Sequence, residues 1–283
     1  NGKFHSYMPA GSWPGKAEER YPPNRANFVI TAENPEGPWS EPIRVDRDPI
    51  EDDLYVGNDP GFIQTPEGKK YLHTDVGFVM PLSDDGLRVT GPAELVYDGW
   101  EYPKDWIVEA KGLESPKLFF NDGFYYMVTA MGGTGGPSTA HMAVVSRSES
   151  PTGPWTDSPH NPLVRTYSVT EEWWRQGHAT VLEAADGSWW TVYHATRGDG
   201  GGLGRQTLLM PVEWTSDGWP VIKNGLKSWD TIPMPNGENV GHGMPLSDDF
   251  SSDELGIQWV YKPSERERVL IRNGELLLEA ERK

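Results

Sequence analysis

Glu114 lies between Leu113 and Ser115-Pro116, just ahead of the apolar run Leu118-Phe119-Phe120. A carboxylic acid at the mouth of a buried strand is poorly solvated. Burial disfavours its ionised form, so the group holds its proton to higher pH. A general acid needs that property; the plainer reading is a wet strand end with no role. Three further residues have types and settings that suit work on a polar ligand. Asp59 stands in G-N-D-P-G, where turn chemistry is the simpler role. His178 stands in R-Q-G-H-A-T, where a histidine is commonly a satisfied core residue. Arg205 stands in G-G-L-G-R-Q-T, where a guanidinium can fork onto hydroxyls or form a surface ion pair.

The elements that must hold these groups read as strands and turns. L-F-F and F-Y-Y-M-V-T flank N-D-G at 121–123, the signature of a hairpin with a two-residue turn. A polar turn ending in Gly and leading into an aromatic strand recurs at Gly2, Gly68, Gly123 and Gly187. The phrase N-P-E-G-P-W at 34–39 returns as S-P-T-G-P-W at 150–155. Irregular repeats of roughly 50–65 residues with Gly turns and aromatic strands indicate propeller blades, which stack because none buries both faces alone. Four such units are visible. A jelly roll would explain the strands but not the repeated phrases. From about Pro245 the style changes to an acidic, Ser-rich stretch, then V-L-I-R-N-G-E-L-L-L, the expected first strands of a separate β-sandwich. The expected organisation is all-β, with a propeller over 1–240 and a sandwich beginning over 245–283.

Composition bounds the ligand. The 283 residues carry a net charge of −17, which disfavours nucleic acid and anionic membranes and suits a neutral ligand. No apolar run reaches the length of a membrane span. There is no cysteine, hence no disulfide or thiolate metal site. Gly 32 and Pro 25 imply many turns, and 13 Trp supply rings for β cores or for stacking on sugars. Trp106, Trp173 and Trp174 are expected to pack rather than to line a pocket.

At the four candidate residues the chain resembles glycoside hydrolase family 43, the five-bladed β-propeller xylosidases and arabinofuranosidases. The matching phrases are G-N-D-P-G-F-I-Q-T-P-E-G-K-K-Y-L, L-E-S-P-K-L-F-F-N-D-G-F-Y-Y-M-V-T-A-M-G-G, G-H-A-T-V-L-E-A-A-D-G-S-W-W-T-V-Y-H-A-T-R and L-G-R-Q-T-L-L-M-P-V-E-W-T-S-D-G-W-P-V. They fall between Asn1 and about Gly225. The segment after Pro245 is similar to the start of the concanavalin-like sandwich that often follows this propeller. The resemblance implies an inverting glycosidase acting on xylose- or arabinose-containing plant-cell-wall polysaccharide or oligosaccharide; it leaves the compartment open, with a secreted or periplasmic setting favoured over a cytoplasmic one. By motif, Glu114 is its general acid and Asp59 the aspartate that orients the acid and tunes its pKa. Arg205 and His178 contact substrate. His178 is also the axial histidine that in many relatives binds a calcium ion directly or through water, with no cofactor otherwise required. The family's general base lies in a first blade, which is expected upstream of Asn1. Within the chain the candidates are Asp46, Asp48, Asp52 and Asp53, in an acidic loop that reads as a solvated run. The competing expectation is a glycan-binding propeller that lacks the base.

Overall fold

A computed structural model describes residues 2–10, 26–45, 58–198, 204–237, 247–256, 259 and 268–280. The expected β character holds: apart from two three-residue 3₁₀ turns, every regular element among the described residues is a strand. The first sheet contains β1 (Phe4–Ala10), β2 (Ala26–Ala32) and β3 (Ile43–Arg44). The second contains β4 (Gly61–Gln64), β5 (Lys70–His73), β6 (Phe78–Leu82) and β7 (Glu94–Leu95). The third contains β8 (Glu114–Asn121), β9 (Phe124–Met131), β10 (Met142–Ser148) and β11 (Thr156–Asp157), with β12 (Val164–Arg165) also on β10. The fourth contains β13 (Trp173–Glu183), β14 (Trp189–Arg197), β15 (Arg205–Trp214) and β16 (Pro220–Ile222). Each sheet is an antiparallel meander whose strands follow chain order, except that β12 returns to pair with β10. These four sheets are four blades of a propeller.

Local chemistry explains the turns. Between β8 and β9, Asp122 and Gly123 both take positive φ, 46° and 84°, as a type I′ hairpin turn demands. The repeated G-P-W phrase builds one motif twice, after β2 and after β10, with cis bonds at Gly37-Pro38 and Gly153-Pro154. In both, the Trp edge closes on the glycine: a Cβ at Gly37 would sit 3.0 Å from Trp39 Cδ1, and one at Gly153 3.1 Å from Trp155 Cδ1.

Sheet faces bury against the next sheet. Val29 and Val45 of the first blade pack with Leu72, Met80 and Leu82 of the second. Tyr126, Val128, Ala143 and Val145 of the third pack with Ala179, Val181, Tyr193 and Met210 of the fourth. Arg147 bridges the same pair, its guanidinium 4.5 Å from the Phe124 ring centroid and 4.1 Å from that of Trp219. It also donates to the carbonyls of Asp217 and Gly218 at 2.8 and 2.9 Å.

The chain divides into two compact units, Asn1–Ile232 and Pro233–Lys283, so the break precedes the change of style near Pro245. Ile232 still packs on the blade core, which is why the first unit extends that far. In the second unit β17 (Val269–Arg272) and β18 (Glu275–Leu278) form a hairpin, turned by Asn273 and Gly274 at positive φ.

Candidate active site

The first strands of three blades lie at or beside a candidate residue, and at each one a residue takes a backbone conformation few side chains tolerate. Asp59 precedes β4 with φ 49°, Ser115 follows Glu114 with φ 53°, and His178 within β13 has φ 54°. Such left-handed non-glycine residues cost about 1–3 kcal/mol and cluster where function requires them. Two of the three coincide with breaks in strand pairing. The β8–β9 register shifts between Glu114 and Lys117, and the β13–β14 register shifts on both sides of Gly177. A bulge re-aims the side chain it carries, which is how Glu114 and His178 come to face each other.

Close backbone approach brings the first two strands together. Gly61 opens β4 directly over β8, where a Cβ would lie 2.0 Å from the Pro116 carbonyl oxygen; only glycine fits. The Asn58-Asp59 turn is fixed from outside. Asp75 Oδ1 accepts the Asn58 N–H at 2.6 Å, and the Asp75 N–H donates to the Asn58 carbonyl at 2.9 Å.

Glu114 is half-buried, with Oε1 3.9 Å from His178 Nδ1. Its pKa is raised above the ordinary glutamate value, first by burial and then by the negative charges of Asp59 and Asp75; Arg205 opposes them in part. His178 is pushed the other way, chiefly by burial and then by the positive charge of Lys117, so it is neutral near pH 7 and forms no ion pair with the acid. Lys117 is itself partly buried, which lowers its pKa against the attraction of Asp59. Arg205, at the start of β15, is exposed and pairs with Thr196 of β14. All four residues singled out in the sequence therefore converge on one electrostatic neighbourhood.

The rim is tied down by hydrogen bonds. Glu109 accepts the N–H groups of Gly135 and Gly136 at 2.6 and 2.8 Å, clamping the G-G-T-G-G loop that follows β9. Arg175 donates from Nε to the Gly136 carbonyl at 3.0 Å. Trp106 and Trp174 pack, as expected. Trp106 stands edge-on to Trp100 and carries the Arg165 guanidinium 3.5 Å from its ring centroid, while Trp174 Nε1 donates to the Val169 carbonyl. A separate cavity of about 450 Å³, lined by residues including His160, Arg165, Glu171 and Trp229, does not include the acid. Asp46, Asp48, Asp52 and Asp53 lie outside the described residues.

Beside His178 stand two histidines that no sequence phrase singled out. One ligand nitrogen from each of His141, His178 and His194 lies within 4.8 Å of the others. Burial and neighbouring positive charge lower His141 to about 3 and His194 to about 4, so both are neutral imidazoles. Calcium takes six to eight oxygen ligands. As direct ligands, three nitrogens fit the calcium expected at His178 poorly.

The sequence profile of the glycosyl hydrolases family 43 matches residues 1–220. The chain belongs to that family. Among curated proteins, a non-reducing end alpha-L-arabinofuranosidase of Bacteroides ovatus is 34% identical over 246 residues, covering 83% of this chain and 42% of that protein. A xylosidase/arabinosidase of Butyrivibrio fibrisolvens is 31% identical, covering 71% of this chain and 39% of the relative. Among solved structures, a xylan beta-1,4-xylosidase of Bacillus halodurans superposes with a TM-score of 0.77 at 27% identity, over 100% of this chain and 54% of that one. This family 43 chain thus spans less than half the length of those two curated relatives. What sequence reading missed in it was Asp75, Lys117, Glu109 and the histidine pair. Two of these lay inside phrases already quoted: Lys117 in L-E-S-P-K and His194 in W-T-V-Y-H.

Proposed function

We propose that this family 43 chain contributes the acid side of a glycoside hydrolase site that cleaves β-xylosidic or α-L-arabinofuranosidic bonds with inversion. One observation carries the reading. Glu114 sits half-buried on a strand bulge, its pKa raised above the ordinary glutamate value by burial and by the charges of two neighbouring aspartates. A carboxyl in that state donates to a leaving glycosidic oxygen as the bond breaks. Asp59 keeps the proton on the acid through like-charge repulsion, and Arg205 offers a planar fork of donors to sugar hydroxyls. His178, neutral and beside the acid, binds substrate rather than carrying charge. Inversion needs a second carboxylate about 6.5–9.5 Å from the acid, with water between. For the second unit the proposal is a concanavalin-like β-sandwich, supported by its β17–β18 hairpin.

The test is hydrolysis of β-D-xylosides and α-L-arabinofuranosides by wild type and Glu114→Gln. With a leaving group that needs protonation, the variant is expected to lose about 10²–10⁴-fold in rate. NMR of the first-formed product should show the inverted anomer. Wild-type turnover by Glu114→Gln on such a substrate would sink the assignment. Oligosaccharide binding without turnover by a folded, upstream-extended protein that carries the second carboxylate would replace the hydrolase reading with that of a glycan-binding propeller.

A further inference from the structure

Both ring nitrogens of His194 are buried without a hydrogen-bond partner, and wholly buried His141 has only the Met131 backbone within reach of its ring. Buried polar atoms without partners are rare and call for an explanation, an ion among them. The packing shows these rings are deliberately accommodated. The Cδ2–Nε2 edge of His141 lies against Gly177, where a Cβ would come within 2.2 and 2.6 Å of those atoms. The glycine that opens this space pairs with His194 and directly precedes His178. One short bulge therefore assembles all three imidazoles. The rings of His141 and His194 are nearly parallel, at 10° with centroids 5.1 Å apart, and His178 is tilted by 46–48° to both.

We infer that His141, His178 and His194 form a three-nitrogen site for a borderline divalent transition ion of the zinc class, and that this site discriminates against calcium. Neutral imidazole suits zinc, copper and nickel, whereas calcium is served by carboxylates, carbonyls and water. Three histidines with an open fourth position make a common zinc set. Zinc–nitrogen bonds of about 2.0–2.1 Å require the three nitrogens to draw together by a modest ring rotation. His178 is partly exposed, which supplies an entry path. The inference needs no substrate, but it bears on the hydrolytic reading: a divalent ion on His178 would lie close to Glu114 and oppose its raised pKa, so the test below reads metal binding alone.

The experiment is metal titration of the 283-residue chain after chelator treatment, with folding checked by near-UV circular dichroism. Zinc and calcium binding are measured by calorimetry. Cobalt(II) is added as a spectroscopic probe of low-coordinate nitrogen ligation. Wild type should bind one zinc and give visible cobalt bands, while calcium at the same concentrations gives no saturable heat. His194→Gln and His178→Gln should each weaken zinc by at least about tenfold. The second variant, at a partly exposed position, guards against loss of fold in the first. Calcium binding as tight as zinc, zinc affinity unchanged in a folded variant, or no zinc binding by folded wild type would each overturn the inference.

Discussion

Asp75 touches no proposed substrate group, yet it holds the turn that carries Asp59 and adds a second negative charge near Glu114. Asp75→Ala removes a carboxylate that accepts a backbone N–H at 2.6 Å. Hydrogen bonds to charged groups are worth about 1.5–3 kcal/mol. The turn they secure includes a residue with φ 49°, whose strain of about 1–3 kcal/mol is of the same size. Removing the bond therefore shifts the balance between the native turn and relaxed alternatives by roughly one to two powers of ten. Asp75→Asn keeps a side-chain oxygen that can accept the same N–H and removes only the charge. Two readouts separate these effects. In urea unfolding, Asp75→Ala should lose about 1.5–3 kcal/mol, and Asp75→Asn clearly less. In an NMR titration of the Glu114 carboxyl carbon, both variants should titrate below wild type, because each lacks one of the charges that raise that pKa. An Asp75→Ala protein with wild-type stability and a wild-type Glu114 titration would refute the reasoning.

Glu114→Gln should stabilise the fold at neutral pH. Below the ordinary glutamate pKa both folded and unfolded wild type are protonated, so the substitution is neutral there. As pH climbs from that value through the raised folded one, the unfolded chain sheds its proton first and wild type loses stability that the Gln variant keeps. Urea midpoints should coincide near pH 3 and diverge by pH 7; coincidence at both would mean the acid pays no burial penalty. Arg147→Ala should cost about 2–3 kcal/mol, from two ring contacts and two charged hydrogen bonds that act as a unit. Arg147→Met, which keeps the apolar packing, should cost less, and equal urea midpoints for wild type and the Ala variant would contradict the bridge between the third and fourth blades.

Much of this was legible in the chain because its signals were local. The Asp122-Gly123 turn, the aromatic strands and the G-P-W motif are each written in a few consecutive residues. Glu114, Asp59, His178 and Arg205 were found through phrases that travel together within one family. The remainder depends on register. Nothing around His141, in S-T-A-H-M, indicates that it will meet His194 and His178, because that meeting depends on the pairing of β10 with β9 in one blade, of β14 with β13 in the next, and on a bulge near Gly177. Asp75 was overlooked for a similar reason. Its value lies in a bond to Asn58 across a whole hairpin, and no sequence period marks such a bond.

The left-handed residues at Asp59, Ser115 and His178 have an evolutionary consequence. At those positions the main chain itself filters substitutions, admitting Asn, Asp, His or Gly far more readily than β-branched residues. A descendant that lost its acid would keep this backbone filter as long as it kept the bulges. The conformation of the blade entrances is then a longer-lived record of ancestry than the reactive side chains, and it would mark silent members of the lineage after their chemistry had gone.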